Sequence, residues 1–410
     1  MKHKNMRIPS FVYLDRYRNE GTRTYSNHAD YTEAQEKYRP DTIFQSFDLI
    51  LFEVPYDQMI VYFASPPHEL SVSYLNKEKV MFAIHPQVLE LCPDDPYVQH
   101  TLSLCTCQKH ISVIPSSSTR TLYVEDHGTP HAIKVHFPFK VSRYGRKMRD
   151  EVLEQAINVS QELGNGIGQL DDRFAFLREL IAVVHKNLPP VSVRGENWGY
   201  LVRDMTPFPS VYRKTQLIPG FALYGKDYFD PNVSLLLYDL IGNRNPVTFI
   251  LENIMLPIIR HWVDCFLHFG YLLEPHGQNV ILEVDGNYTI SRIVHRDLSV
   301  GIDMRRRRDI GLPSHQLNQY NRMEHNAFHS IAYDKFMGGH FFDRLVNACL
   351  EKYPDLSRED FTQPCLEEFD RIFPEHTRYF PQTVWYFSEK RDQFNKPLYQ
   401  DTGLSPEWRP

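Results

Sequence analysis

Cysteine is sparse in this chain, six residues in 410, and the six form no framework of close pairs. Cys105 and Cys107 make a lone Cys-x-Cys; without a second pair to complete a zinc set they read as reduced thiols on a strand. No apolar run reaches the roughly 18 residues that a membrane span needs. The nearest, VTFILENIMLPIIRHWVDCFLHFGYLL, is interrupted by Glu252, Arg260, His261 and Asp264 and reads as a buried or amphipathic helix. The opening MKHKNMRIPS lacks the apolar centre of a secretion signal, so a cytoplasmic protein away from the membrane is expected. Basic charge is not in excess. Lys and Arg number 45 against 51 Asp and Glu, a net −6, which argues against a nucleic-acid binder. The one basic run, Arg305 to Arg308, reads as a solvated loop.

The familiar nucleotide and catalytic signatures are missing too. There is no Gly-x-x-x-x-Gly-Lys-Ser/Thr loop and no Gly-x-Gly-x-x-Gly. His295-Arg296-Asp297-Leu298 copies the start of a protein-kinase catalytic loop. However, Ile302 stands where that loop needs Asn, and no glycine-rich loop precedes it, which excludes a protein kinase. Ser116-Ser117-Ser118 lacks the glycines of a nucleophile elbow, and His329 and His340 have no zinc spacing. No internal repeat is present.

What the chain does have is an ordinary globular composition, 42% hydrophobic and 23% charged, and strand-rich patterning. Residues 1–40 are polar and read as a loosely packed lead-in. FDLILFEVP, MIVYFASP and KVMFAIHP read as strands, as do TLSLCTC and HISVIPSSS. A helix is predicted from near Tyr144 to the Gly164-Asn165-Gly166 stop, with Arg143 and Arg146 in its first turn. There the arginines and free backbone N–H groups would suit a carboxylate, although a plain exposed arginine pair fits the same pattern. A second helix is predicted over DDRFAFLRELIAVVHKNL, then strands at GYLVRDMTP and TQLIPGFALYG. A long helix follows from Pro246. Further helices are expected around HSIAYDKF, FFDRLVNACLEKYP and CLEEFDRIFP, with an irregular tail from Gln393.

Two hairpins carry the chemistry. In the first, Ser118–Val141, the turn at Asp126-His127-Gly128 sets Lys134 opposite Thr121, clustering Arg120, Thr121 and Lys134 across two strands. Such a pair of cations suits phosphate, although strands also carry plain surface charges. In the second, NVILEV and YTISRIV flank an Asp-Gly-Asn turn. Antiparallel counting puts Asp297 opposite His276 or Glu274, so Glu274, His276, Asn279 and Asp297 meet at one rim. Carboxylate and amide oxygens suit a hard cation such as Mg²⁺ shared with nucleotide phosphates; the same rim also suits plain capping groups.

Several segments, in chain order, resemble the siderophore synthetases that work without peptide-synthetase machinery, the aerobactin-synthetase family. Phe82–Gln87 (FAIHPQ) is similar to the family's PVHPWQ segment without its Trp. Ser118-Thr119-Arg120-Thr121 resembles the S-x-R-T strand. KVHFPFKVSRYGR is similar to KLPLxIxxTSAxR and matches Lys134, Ser142 and Arg146. GYLVRDMTP and LIPGFALYG look like two further blocks. EPHGQNVILEVDGNYTISRIVHRD resembles the hallmark EAHxQNxLVxLxxGxPxxxxxRD. An earlier HPxHPxxK block is absent, and the family's TSA reads Ser142-Arg143-Tyr144.

The resemblance implies an α+β fold of palm, fingers and thumb, with mostly antiparallel sheets and a helical C-terminal part. It implies a reduced thumb over residues 1–80, an ATP-binding fingers region over 81–240 and a palm over 241–410. It implies a ligase that adenylates a carboxylic acid and condenses it with an amine or alcohol, using ATP and Mg²⁺, as a homodimer. Ser118, Arg120, Thr121, Lys134 and Gln278 would hold ATP. Glu274, Asn279 and Asp297 would serve the metal. Ser142, Arg143, Arg146 and His276 would face the acid, and His276, Lys134 and Arg146 would be catalytic. The Arg-Tyr replacement beside the acid leaves open whether it is citrate-like. A non-catalytic binding subunit and a small-molecule phosphotransferase remain alternatives.

Overall fold

Alternating runs of β-branched and aromatic residues between turn clusters build most of the first half of the molecule. A computed structural model describes residues 9–19, 32–43, 45–141, 144–146, 148–186, 198–211, 214–313, 322–323, 326–391 and 397–410. Its strands, in chain order, begin with β1 (Phe47–Pro55), β2 (Met59–Phe63), β3 (Lys79–Ile84), β4 (Cys107–Pro115), β5 (Thr121–Val124) and β6 (His131–Val135). There follow β7 (Phe137–Val141), β8 (Tyr144–Arg146), β9 (Phe174–Phe176), β10 (Glu179–His185) and β11 (Gly199–Asp204). Eight of these form one antiparallel sheet in the order β2-β10-β11-β6-β5-β4-β1-β3. A second sheet is assembled from β12 (Thr215–Pro219), β14 (Val280–Asp285), β15 (Ile290–His295) and β9, with β9 the single parallel partner. The α+β, mostly antiparallel expectation holds.

The described part of that predicted helix, residues 171–186, is not helical; it forms β9 and β10. All seven side chains of β10 are buried, because the strand is covered on both faces. Ile181 and Val183 pack into the large core of the sheet, whereas Ala182 and Val184 meet the helix Asp150–Asn165 through Leu153, Ala156 and Ile157. A strand buried on both faces gives a continuous apolar run, which periodicity cannot tell from a buried helix. That same helix starts at Asp150, not near Tyr144. Residues 144–146 pair with β7 instead, and Asp150 and Glu151 occupy the first turn, where acidic groups complement the helix dipole. Arg146 therefore does not sit at a helix N-terminus, and Arg143 lies outside the described residues. Gly199 leaves no room for a Cβ: one there would run into the side chains of Val184, on the paired strand, and Leu153, on the helix.

Three smaller corrections have equally local causes. TLSL is the end of a helix, Pro96–Leu104, which Asp95 caps from the Tyr97 N–H and Pro96 starts; only from Cys107 is the segment a strand. The tail is partly ordered as a hairpin, β18 (Trp385–Arg391) with β19 (Pro397–Asp401), and Arg409 closes on Asp334 at 3.0 Å. The arginine run is a short helix, Met304–Asp309. Arg306 donates to the Leu267 carbonyl and buried Arg307 to Glu162 at 2.9 Å, so it is no solvated loop. Two minor strands, β13 (Tyr271–Leu272) and β16 (Gly301–Asp303), pair beside it, with β17 (Arg322–Met323) outermost. The long helix runs as expected from Pro246 to Phe269, through a wider π-type turn at Leu251–Met255, and ends on Gly270 at φ +68°. Among the described residues no helix is long and apolar enough to cross a membrane.

Several histidines of the sheet half are buried. Burial pushes His85 and His185 down to about 3 and His131 to about 4. In an unfolded chain they titrate near 6.5. Between these limits the unfolded state binds more protons, so stability present above pH 6.5 is lost as pH falls. Each histidine contributes about 1.4 kcal/mol per pH unit in that window. The urea midpoint is therefore expected to fall steadily from pH 7 to pH 5; a constant midpoint would contradict this.

Candidate active site

Lys134 lies opposite Thr121 in the β5–β6 ladder, as the turn count predicted, and it reaches to Asp297, just past β15 of the second sheet. Its Nζ lies 2.9 and 3.0 Å from the two oxygens of Asp297. Asp297 comes just after β15 with φ +70°, a left-handed backbone that costs a non-glycine residue on the order of 1 kcal/mol or more. The hairpin register differs from the expected one. The loop is four residues long, Tyr288 takes φ +62°, and the ladder shifts between Glu283 and Val284. With Val280 opposite His295, Asp297 counts level with Gln278, not with His276 or Glu274.

The charges around Lys134 explain one another. Burial lowers Lys134 to about 8, against the pull of Asp297. Burial would raise the Asp297 carboxyl, but Lys134 and Arg203 hold it well below the usual carboxylate range. Glu274 is pushed up to about 8, first by burial and then by the charge of Asp297. The site therefore holds one ionised and one largely protonated carboxyl at neutral pH. Arg203, on β11, is fixed by Glu179 of the neighbouring β10 at 2.5 and 3.0 Å. Arg120 adds positive charge near Lys134 and Asp297 and donates to Met148 Sδ at 3.0 Å.

A tight turn before β5 supplies hydroxyls. Ser116 Oγ and Ser118 Oγ are 2.8 Å apart, Ser118 Oγ donates to Thr121 Oγ1 at 3.1 Å, and Thr119 takes φ +68°. Across from it, the Gln278 amide approaches Ser117 Oγ at 3.5 Å. The loop carrying Gln278 is shaped by its own groups. The Gln278 N–H donates to His276 Nδ1 at 3.2 Å, and the Asn279 N–H to the His276 carbonyl at 2.9 Å. Gly277 is required by close approach, since a Cβ there would lie 2.3 Å from the Tyr224 hydroxyl. His276 packs edge-on against Phe336 with ring centroids 5.8 Å apart.

Thus Ser118, Thr121, Arg120, Lys134 and Asp297 share one neighbourhood, with Glu274 coupled to it and Gln278 on the opposing loop. Ser142 and Arg143 lie outside the described residues, and Arg146 is placed only as a backbone position in β8. Among the described residues no group of three or more His, Cys, Asp or Glu is arranged to hold a metal ion.

Sequence reasoning missed the N-terminal contribution. Residues 11–17 form a helix whose Asp15 is fully buried and accepts from the Ser117 N–H at 2.8 Å and from Arg296 at 3.0 Å. The signal was present in the Ser10 cap and the three-residue spacing of Phe11, Leu14 and Tyr17. Arg203 with Glu179 was missed because the strand carrying Glu179 was read as a helix.

The sequence model of the IucA / IucC family matches residues 33–225. Over its fold the chain is similar to the petrobactin biosynthesis protein AsbB from Bacillus anthracis str. Sterne, with a TM-score of 0.71 at 15% identity, covering 98% of this chain and 76% of that one. It is similar to ATP-bound aerobactin synthetase IucA from a hypervirulent pathotype of Klebsiella pneumoniae, with a TM-score of 0.70 at 12% identity, covering 98% and 78%. Aerobactin synthetase IucC from the same pathotype gives 0.65 at 13% identity, covering 90% and 70%. No curated protein matched it in sequence. The family match and the shared architecture agree with the ordered motif blocks: residues 33–225 carry the IucA / IucC family pattern, and the chain shares the fold of the solved relatives.

Proposed function

We propose that the protein is an ATP-dependent ligase of siderophore or related natural-product synthesis, which adenylates a carboxylic acid and joins it to an amine or alcohol. The observation that carries this reading is the Lys134–Asp297 pair, with Arg203 and Glu274 coupled to Asp297 and with Thr121, opposite Lys134, hydrogen-bonded to Ser118 of the serine turn. The family match over residues 33–225 and the likeness to an ATP-bound relative support ATP as the nucleotide.

In this reading the acid's carboxylate oxygen attacks the α-phosphorus and pyrophosphate leaves. The nucleophile then attacks the acyl carbon, AMP departs and the attacking group loses its proton. Lys134 and Arg120 offset charge on the phosphates, the hydroxyls of Ser118 and Thr121 orient them, and Gln278 bounds the nucleotide from the opposite loop. His276 faces the acid, together with Arg146 and the Ser142-Arg143 segment. The donors fit Mg²⁺ in kind: Glu274 and Asp297 are close enough to couple, and Asn279 adds an amide oxygen. The ion, when bound, would offset triphosphate charge. The reading also assigns a reduced thumb to residues 1–80, fingers to 81–240 and a palm to 241–410, in a cytoplasmic homodimer.

The test is acid-dependent and amine- or alcohol-dependent pyrophosphate release with AMP as co-product. ADP as product, or no release across a broad acid panel, would overturn the reading. His276→Ala is expected to reduce turnover about a hundredfold while nucleotide binding stays intact. An active variant would remove His276 from the acid side of the site.

A further inference from the structure

We propose that Asp15, carried in by the N-terminal helix, is a positioning residue for the nucleotide, so that the lead-in segment forms part of the nucleotide site. This rests on the ATP reading above. The serine turn belongs to the eight-stranded sheet, and the Gln278 loop belongs to the second sheet. Beyond the weak Gln278–Ser117 approach, Asp15 ties them together. One of its carboxylate oxygens accepts the Ser117 N–H at 2.8 Å; the other accepts the Ser117 hydroxyl at 3.3 Å and Arg296 Nη2 at 3.0 Å. Arg296 in turn donates from Nε to the Gln278 carbonyl at 2.6 Å and from Nη1 to the Tyr123 hydroxyl at 3.4 Å. Alongside the Arg296–Tyr123 and Lys134–Asp297 contacts, this buried carboxylate thereby helps set the spacing between the serine turn and the loop that face each other across the proposed nucleotide.

The helix is built to hold that carboxylate in place. Phe11 lies edge-on to Tyr123, with centroids 5.7 Å apart, and 5.8 Å from the Arg296 guanidinium. Arg16 donates to the carbonyls of Pro40 and Gln45, and Arg18 pairs with Asp227 at 3.2 Å. The helix is thus anchored at both ends and Asp15 has no room to turn away. A carboxylate in this position serves no step of the reaction itself. Its effect is to fix the distance across which Ser118, Thr121 and Gln278 meet the nucleotide.

The experiment measures ATP binding by calorimetry, together with KM for ATP, KM for the acid and kcat, in the wild-type full chain and in Asp15→Asn. The substitution keeps an acceptor for the Ser117 N–H but removes the charge from Arg296. Loss of one charge-assisted link predicts about tenfold weaker ATP binding and a matching rise in KM for ATP. The acid KM at saturating ATP should be unchanged, and kcat should fall less than the KM rises. Ordinary ATP binding by a folded Asp15→Asn protein overturns the inference. So does a uniform loss of kcat and both KM values tracking a fall in melting temperature, which marks a merely structural role. If Asp15→Asn does not fold, Phe11→Leu, which loosens the helix from Arg296 and Tyr123 without removing charge, is expected to weaken ATP binding about threefold, and unchanged binding counts against the inference. No ATP binding by the wild type is the separate result that overturns the ATP reading.

Discussion

Lys134→Ala is expected to lower pyrophosphate release about a thousandfold, the scale on which a single preorganised charge stabilises a transition state. The expectation rests on the place of Lys134. It is buried, it is bound to Asp297 through both carboxylate oxygens, and it stands at the ladder position facing Thr121. The fold should survive, because Arg203 remains near Asp297 and continues to favour its ionised form. Far-ultraviolet circular dichroism and a cooperative melt check the fold, and a pyrophosphate assay at saturating ATP checks the chemistry. Turnover within tenfold of wild type would remove Lys134 from the reaction.

Glu179→Ala should be the most destabilising of the changes considered. The Arg203–Glu179 pair is buried on both sides, with side-chain exposures of 4% and 1%. Removing one partner of a buried pair leaves the other charge without its counterion and costs about 3–5 kcal/mol. The double variant Glu179→Leu/Arg203→Met, which removes both charges, should recover much of that loss. It should remain poorly active, because Asp297 then has only Lys134 and Arg120 of its present cations. Chemical denaturation of the three proteins measures this, and a loss below about 1 kcal/mol for Glu179→Ala would show that solvent screens the pair.

Much of this site was legible in the sequence where short-range rules govern. The β5–β6 pairing followed from counting back from one turn, and the Glu274–Asp297 segment announced its hairpin. Its register was misjudged because a bulge and a four-residue loop are set by local backbone conformation at Tyr288 and Ser291, which alternation does not encode. The β9–β10 segment misled for a different reason: burial on both faces erases the polar phase that separates strand from helix. Asp15 was illegible as a function because its partners, Ser117 and Arg296, lie about a hundred and almost three hundred residues away in the chain. Such contacts are made by tertiary packing alone.

The doubled contact between Lys134 and Asp297 has a consequence for how a ligand enters. Lys134 and Arg203 stand against Asp297 and Glu179, so both cations already face a carboxylate, and Arg120 adds further positive charge. A phosphate that reaches Lys134 does not find a bare cation; it competes with a resident carboxylate. Entry is an exchange of one anion for another, and the local gain is the difference between two interactions of similar kind. Such a site should discriminate by shape and by the number of contacts made at once, and simple polyanions should be poor competitors for it even at low salt.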